Sequence, residues 1–315
     1  MGNKQPKKVD GKNEKGLTIQ KTKKGLSSLE EVLKDYEANL ENVEVLMLND
    51  NKIEEIPTCI FSKLVNLQVI YLENNGLLKL PEDLSSCVKL EEINLNNNKL
   101  EEIPPIFEHF NSLKLVYLNK NRLKLFPAIF NCSNLSVLHI DENELEEIPD
   151  SFQKLSQLKY FSINNNKIRQ IPESISHCSR LERLYLNNNQ FEELPEAFSQ
   201  LKSLQQLYIA DNNFKQFPKP LLKLDSLIEL TLTNNQIRQI PPDLNMSKLE
   251  KLAVINNKLE SIAERVSLQS LEWLYLDENQ IKTLNLNLPK LQFLSVKGNE
   301  GIEVSFKDKV RQFIV

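Results

Sequence analysis

Leucine-type residues return at fixed offsets along most of the chain. In the stretch Leu181 to Phe191 they occupy the first, fourth, sixth and eleventh places, Asn189 occupies the ninth, and Leu194-Pro195 closes the unit. The unit recurs twelve times. Its ninth-place asparagines are Asn51, Asn75, Asn98, Asn121, Asn143, Asn166, Asn189, Asn212, Asn235, Asn257, Asn279 and Asn299, at intervals of 20 to 24 residues. A period in this range marks stacked repeats, because one unit cannot bury its own apolar face and its neighbours must complete the core. Alternation through Arg183, Leu184, Tyr185 and Leu186 predicts one short strand per unit. Parallel strands of successive units would stack about 4.8 Å apart. The proline of each unit (Pro57, Pro81, Pro104, Pro127, Pro149, Pro172, Pro195, Pro218 and Pro241) suits the start of a helical turn, having a preset φ and no N–H to leave unpaired. Ala263 and Asn285 replace it in the tenth and eleventh units. The expected fold is an α/β solenoid, a curved horseshoe with a parallel sheet on its concave face and short helical turns on its convex face.

The two ends depart from the pattern. Residues 1–24 hold eight lysines against two acidic residues and few apolar side chains, which predicts a basic, disordered tail. Residues 25–42 place Leu26, Leu29, Val32, Leu33, Tyr36 and Leu40 at helical spacing behind Ser27 and Ser28, so an amphipathic helix over residues 28–38 is expected as the N-terminal cap. The solenoid then covers residues 43–301. Residues 302–315 read either as a C-terminal cap or as the start of a longer continuation.

The motif Asn166-Lys-Ile168-Arg-Gln-Ile171-Pro172 and its equivalents give a specific resemblance over residues 43–299. The chain resembles the leucine-rich repeat family, and within it the intracellular 23-residue subclass found in Ras-binding and cell-polarity scaffolds. The resemblance implies a protein-binding concave face and, as partner, a small GTPase or a phosphatase subunit. Similar repeats also precede metal-dependent Ser/Thr phosphatase and adenylyl cyclase domains. The alternative is therefore a regulatory region of a larger enzyme.

Places 2, 3, 5, 7 and 8 of each unit are expected to face the hollow. They carry fourteen acidic and six basic residues, a balance that disfavours nucleic acid and favours a basic or mixed-charge protein. Six of the seven tyrosines fall there: Tyr71, Tyr117, Tyr160, Tyr185, Tyr208 and Tyr275, joined by Trp273 and Phe293. Stacking of the units predicts Tyr185 beside Tyr208, Tyr160 beside Arg183, and Trp273 beside Phe293. Exposed Tyr, Trp and Arg dominate binding energy at interfaces, so these residues, with His139, form the candidate partner-binding set. The same aromatics also suit strands as cross-strand ladders.

Chemistry beyond binding finds little support. His139 lies two residues from Asp141, but no nucleophile joins them. The acidic pairs Asp141-Glu142 and Asp277-Glu278 lack the spacing of a calcium loop, and none of the seven glycines forms a phosphate loop. No catalytic residue, metal or cofactor is assigned. Cys87, Cys132 and Cys178 each stand three residues before a first-place leucine, where other units have Leu, Phe or Met, so they read as core thiols of an intracellular monomer. Gly2, behind Met1, is a candidate N-myristoylation acceptor, although Pro6 stands where the pattern has Ser or Thr. Acylation beside the lysines would give weak membrane association, so the expected location is cytoplasmic or peripheral at the inner membrane face.

Overall fold

The computed structural model describes residues 16–315. Fourteen parallel strands follow one another in chain order in a single sheet, from Leu17–Gln20 to Gln312–Ile314. Most are three residues long, as in Arg183–Tyr185 and Gln206–Tyr208. The register pairs like with like: Arg183 opposes Gln206, Leu184 opposes Leu207 and Tyr185 opposes Tyr208. Each place of the repeat therefore becomes a column running along the solenoid. First, fourth and sixth places bury completely in the central unit, at Leu181, Leu184 and Leu186, and Phe191 buries at the eleventh.

Three polar columns hold the units in register. The ninth-place asparagine is buried and bridges two units. Asn189 Nδ2 donates to Ile163 O at 2.9 Å in the preceding unit and to Leu186 O and Asn187 O in its own, while its Oδ1 accepts from Ile168 N at 3.0 Å. Seventh-place side chains accept from the next strand's backbone, as Asn164 Oδ1 does from Asn187 N at 2.7 Å. The eighth place turns the chain in the left-handed region, with φ between 50° and 59° from Asp50 to Glu278. Asn and Asp tolerate that region best and fill most of the column; Lys120, Glu142 and Glu278 are the exceptions.

On the convex side, prolines precede short 3-10 helices, as Pro172 precedes Glu173–His177 and Pro195 precedes Glu196–Gln200. Where the asparagine interval shrinks to 22 residues or fewer, this helix gives way. Between Asn121 and Asn143 the space is filled by Phe126 stacked on Phe130 at 5.4 Å, with Phe152 and Phe161 against them. In the last units the convex side becomes paired extended chain, Gln239–Ile240 with Ser261–Ile262 and Thr283–Leu284 with Glu303–Val304.

The N-terminal expectation needs two corrections. Leu17–Gln20 is a strand paired in parallel with Val43–Met47, and Ile19 is fully buried. The basic tail therefore does not extend to residue 24. Ile19 and Leu26 stand seven residues apart, like Leu184 and Phe191, and Lys23 (φ 56°) takes the eighth-place turn. Residues 17–42 thus form an irregular first unit whose ninth place is Lys24. The unit holds because Asn51 of the next one bonds back to it, accepting from Leu26 N at 3.2 Å and donating to Lys21 O at 2.8 Å. The second correction concerns the cap helix, which spans only Leu29–Leu33 as α-helix. Ser28 Oγ caps it by accepting from Glu30 N at 3.1 Å. It continues as a 3-10 helix over Lys34–Asn42, broken at Asn39 (φ −139°), where the chain must turn to deliver Val43 into the sheet. At the other end, Gln312–Ile314 pairs with Phe293–Ser295, so residues 302–315 contribute a further strand.

Candidate protein-binding surface

Strand alternation decides which side chains reach the hollow. Fourth and sixth places point into the core, so third and fifth places point out of the sheet on its concave side. All ten residues of the predicted set lie on this face and are half-buried between neighbours of the same column. Tyr185 stacks on Tyr208 with ring centroids 4.9 Å apart and planes within 7°. Arg183 places its guanidinium 5.2 Å from the Tyr160 ring centroid. Tyr117 meets His139 edge to face at 5.4 Å. The expected Trp273–Phe293 contact takes a different form. These residues are opposite in backbone register, yet the Phe293 ring lies against Tyr275 at 4.9 Å, tilted by 37°. Gly2 lies outside the described residues.

The surface is electrostatically patterned. Four of its basic residues are engaged by acidic neighbours one unit away: Lys114 with Glu91 at 2.7 Å, Lys120 with Glu142 at 3.6 Å, Lys159 with Glu182 at 3.5 Å and Lys251 with Glu229 at 2.7 Å. The acidic excess is thus concentrated on carboxylates without such partners. The Tyr160 hydroxyl reaches Glu182 Oε2 at 3.5 Å, and Tyr71 and Tyr208 lie near Glu92 and Glu229. Burial first, then the nearby carboxylate, pushes the Tyr71 and Tyr208 phenols above their ordinary range. Burial also raises the Glu92 carboxyl, and the nearby Tyr71 opposes it. His139 is held below the usual imidazole value by burial, against the pull of Asp141.

Asp141 serves the scaffold. Its Oδ1 accepts from Ser162 Oγ and from Asn164 N, both at 2.6 Å, in the role of the seventh-place ladder. Among the described residues no group of three His, Cys, Asp or Glu side chains is placed to hold a metal ion, and no helix is long and apolar enough to cross a membrane. Cys87, Cys132 and Cys178 are buried, and burial pushes their thiols up to about 12. Cys59, outside that slot, is exposed.

Sequence reasoning missed the individuality of Glu92. It was one acid among fourteen until the register set it between Val69 and Leu115. The signal was available by reading down the third-place column instead of along the chain.

A family model described as a leucine-rich repeat region matches residues 109–286, and one described as a leucine rich repeat matches residues 41–100. No curated protein sequence matches the chain. Among solved structures, a leucine-rich repeat protein of Leptospira interrogans is 29% identical, with a TM-score of 0.74 over 90% of this chain and 78% of that one. The LRIM1/APL1C complex, at 24% identity and a TM-score of 0.76 over 87% of this chain and 52% of that one, shares the fold. The leucine-rich repeats of FLRT2, solved in an octameric complex with latrophilin 3 and Unc5D, are 27% identical with a TM-score of 0.60 over 70% of this chain and 71% of that one.

Proposed function

The chain belongs to the leucine-rich repeat family, and from that premise we propose that it is a non-catalytic scaffold or adaptor holding a protein partner on its concave face. One observation carries the proposal. Tyrosine is concentrated on a single, half-buried side of the sheet, with six of seven residues there and Trp273 beside them. Aromatic side chains that are part-covered by their own column and open to the hollow offer large, rigid contact area at little entropic cost.

The partner we propose is an intracellular signalling protein, a small GTPase or a phosphatase subunit. The 23-residue spacing and its Ile-Pro closing motif support this, as does the lack of disulfides among four cysteines. Peripheral attachment through Gly2 and the neighbouring lysines is compatible with the same role. Mass spectrometry of protein made in a myristoylating host tests it, and an unmodified N-terminus ends the idea.

The binding test compares wild-type protein with the Tyr185→Ala, Tyr208→Ala, Trp273→Ala triple variant in affinity capture of candidate GTPases and phosphatase subunits. Capture by the wild type and loss in a variant that keeps its circular dichroism supports the proposal. Undiminished capture by the variant removes the concave face as the binding site.

A further inference from the structure

Two carboxylates occupy the same position in the concave lattice, and only one is neutralised. Glu229 is a third-place residue opposed by Gln206 on one side and Lys251 on the other. Its carboxylate is engaged by Gln206 Nε2 at 3.4 Å and Lys251 Nζ at 2.7 Å. Glu92 is also a third-place residue, and Tyr71 lies near it along the same diagonal that relates Tyr208 to Glu229. Its two neighbours in the column, however, are Val69 and Leu115. Among the described residues no lysine, arginine or histidine forms an ion pair with Glu92, and Lys114 nearby is engaged by Glu91 at 2.7 Å.

The surroundings extend the contrast. One unit beyond Glu229 the fifth place is Ala253; one unit beyond Glu92 it is Tyr117. Tyr71 and Tyr117 therefore flank the Glu92 unit, two strand spacings or about 10 Å apart. Asn94, between them in the column, turns its amide away from the gap, donating to Glu73 Oε2 at 3.3 Å and accepting from Asn96 N at 3.0 Å. What remains is a half-buried carboxylate with aliphatic walls and an aromatic ring on either side.

We propose that Glu92, Tyr71, Tyr117, Val69 and Leu115 form a subsite for one arginine side chain of the protein partner. The carboxylate takes the guanidinium, the two rings flank its plane, and Val69 and Leu115 receive its aliphatic stem. The face already shows the preference, since Arg183 lies over Tyr160. A carboxylate part-removed from water without a cation is costly, and a guanidinium supplied from outside relieves that cost. The subsite rests on the concave-face reading for its biological occupant, but it can be tested without one.

The probe is n-butylguanidinium, titrated into the full chain carrying labelled leucine and valine methyls, with n-butylurea as the neutral control. Saturable shifts at Val69 and Leu115 are expected with the cation and none with the urea. Glu92→Gln, nearly isosteric, should weaken binding about tenfold or more, as loss of a charged hydrogen-bond partner does. Leu115→Lys, which supplies the internal cation that Lys251 provides to Glu229, should also close the site, while Glu229→Gln should leave it intact. Equal shifts from the urea, no saturable shift at these methyls, or unchanged affinity in Glu92→Gln overturns the subsite. Failure here leaves partner capture by Tyr185, Tyr208 and Trp273 untouched. Conversely, capture that survives their triple replacement removes the wider reading and leaves the subsite standing.

Discussion

Replacing Asn189 by alanine isolates what one rung of the asparagine column contributes. Four hydrogen bonds disappear, but they are not equal. Ile163 O keeps a second donor in Asn166 Nδ2 at 3.2 Å, Leu186 O keeps Asn212 Nδ2 at 3.0 Å, and Asn187 O keeps Asn165 N at 2.9 Å. Ile168 N has no other acceptor, and Ile168 is fully buried. The cost is therefore that of one orphaned buried N–H with three weakened acceptors, about 2 kcal/mol, and not four full bonds. Asn189→Asp sharpens the test. It keeps an acceptor for Ile168 N but sets a carboxylate against three carbonyl oxygens, so at pH 7 it should destabilise more than alanine does. Urea unfolding read by circular dichroism gives the difference. Fluorescence of Trp273, far along the chain, shows whether distant units unfold together with the mutated one. An alanine variant within about 0.5 kcal/mol of wild type, or an aspartate variant as stable as wild type, would refute the column as a source of stability.

Lys120 holds a left-handed turn at φ 56° and pairs with Glu142 only across an exposed 3.6 Å. Lys120→Asn should raise stability by about 0.5 kcal/mol, since asparagine suits the turn and the lost ion pair is worth little; a lower melting temperature counts against this. A thiol reagent at pH 8 should titrate one cysteine of the native protein quickly, the exposed Cys59, and all four after unfolding; the other three are buried and protonated there. A second fast thiol would contradict the packing. Glu92 has its folded pKa raised, chiefly by burial, so its contribution is favourable below the unfolded carboxyl pKa and is lost as pH rises through the folded value. Glu92→Gln should accordingly stabilise the protein at pH 7, with the gain vanishing in acid; an equal gain at both pH values would contradict the linkage.

Much of this architecture was legible in the chain because each place of the repeat does one physical job. A leucine at the fourth place must be buried, an asparagine at the ninth must satisfy backbone groups, and the alternation between them turns the third and fifth places outward. Tyr185 beside Tyr208 and Arg183 beside Tyr160 follow from counting alone, once like places are stacked. The unit spanning residues 17–42 escaped the count because its ninth place is Lys24, and the bonds that hold it come from Asn51 in the next unit. A motif search reads the missing asparagine as the end of the pattern, whereas the fold needs only that the neighbour carry one.

Side-chain outcomes between columns depended on three dimensions. Register sets Phe293 opposite Trp273, but packing turns its ring toward Tyr275. Glu92 and Glu229 are the same residue at the same place of the repeat, and the cation that separates them stands in a neighbouring unit. The sequence by itself determined the columns, because burial and backbone hydrogen bonding act on every unit alike. The tertiary structure decided which members of a column find a partner, because that depends on residues a full unit away. For Glu229 they include Lys251, and for Glu92 they are Val69 and Leu115.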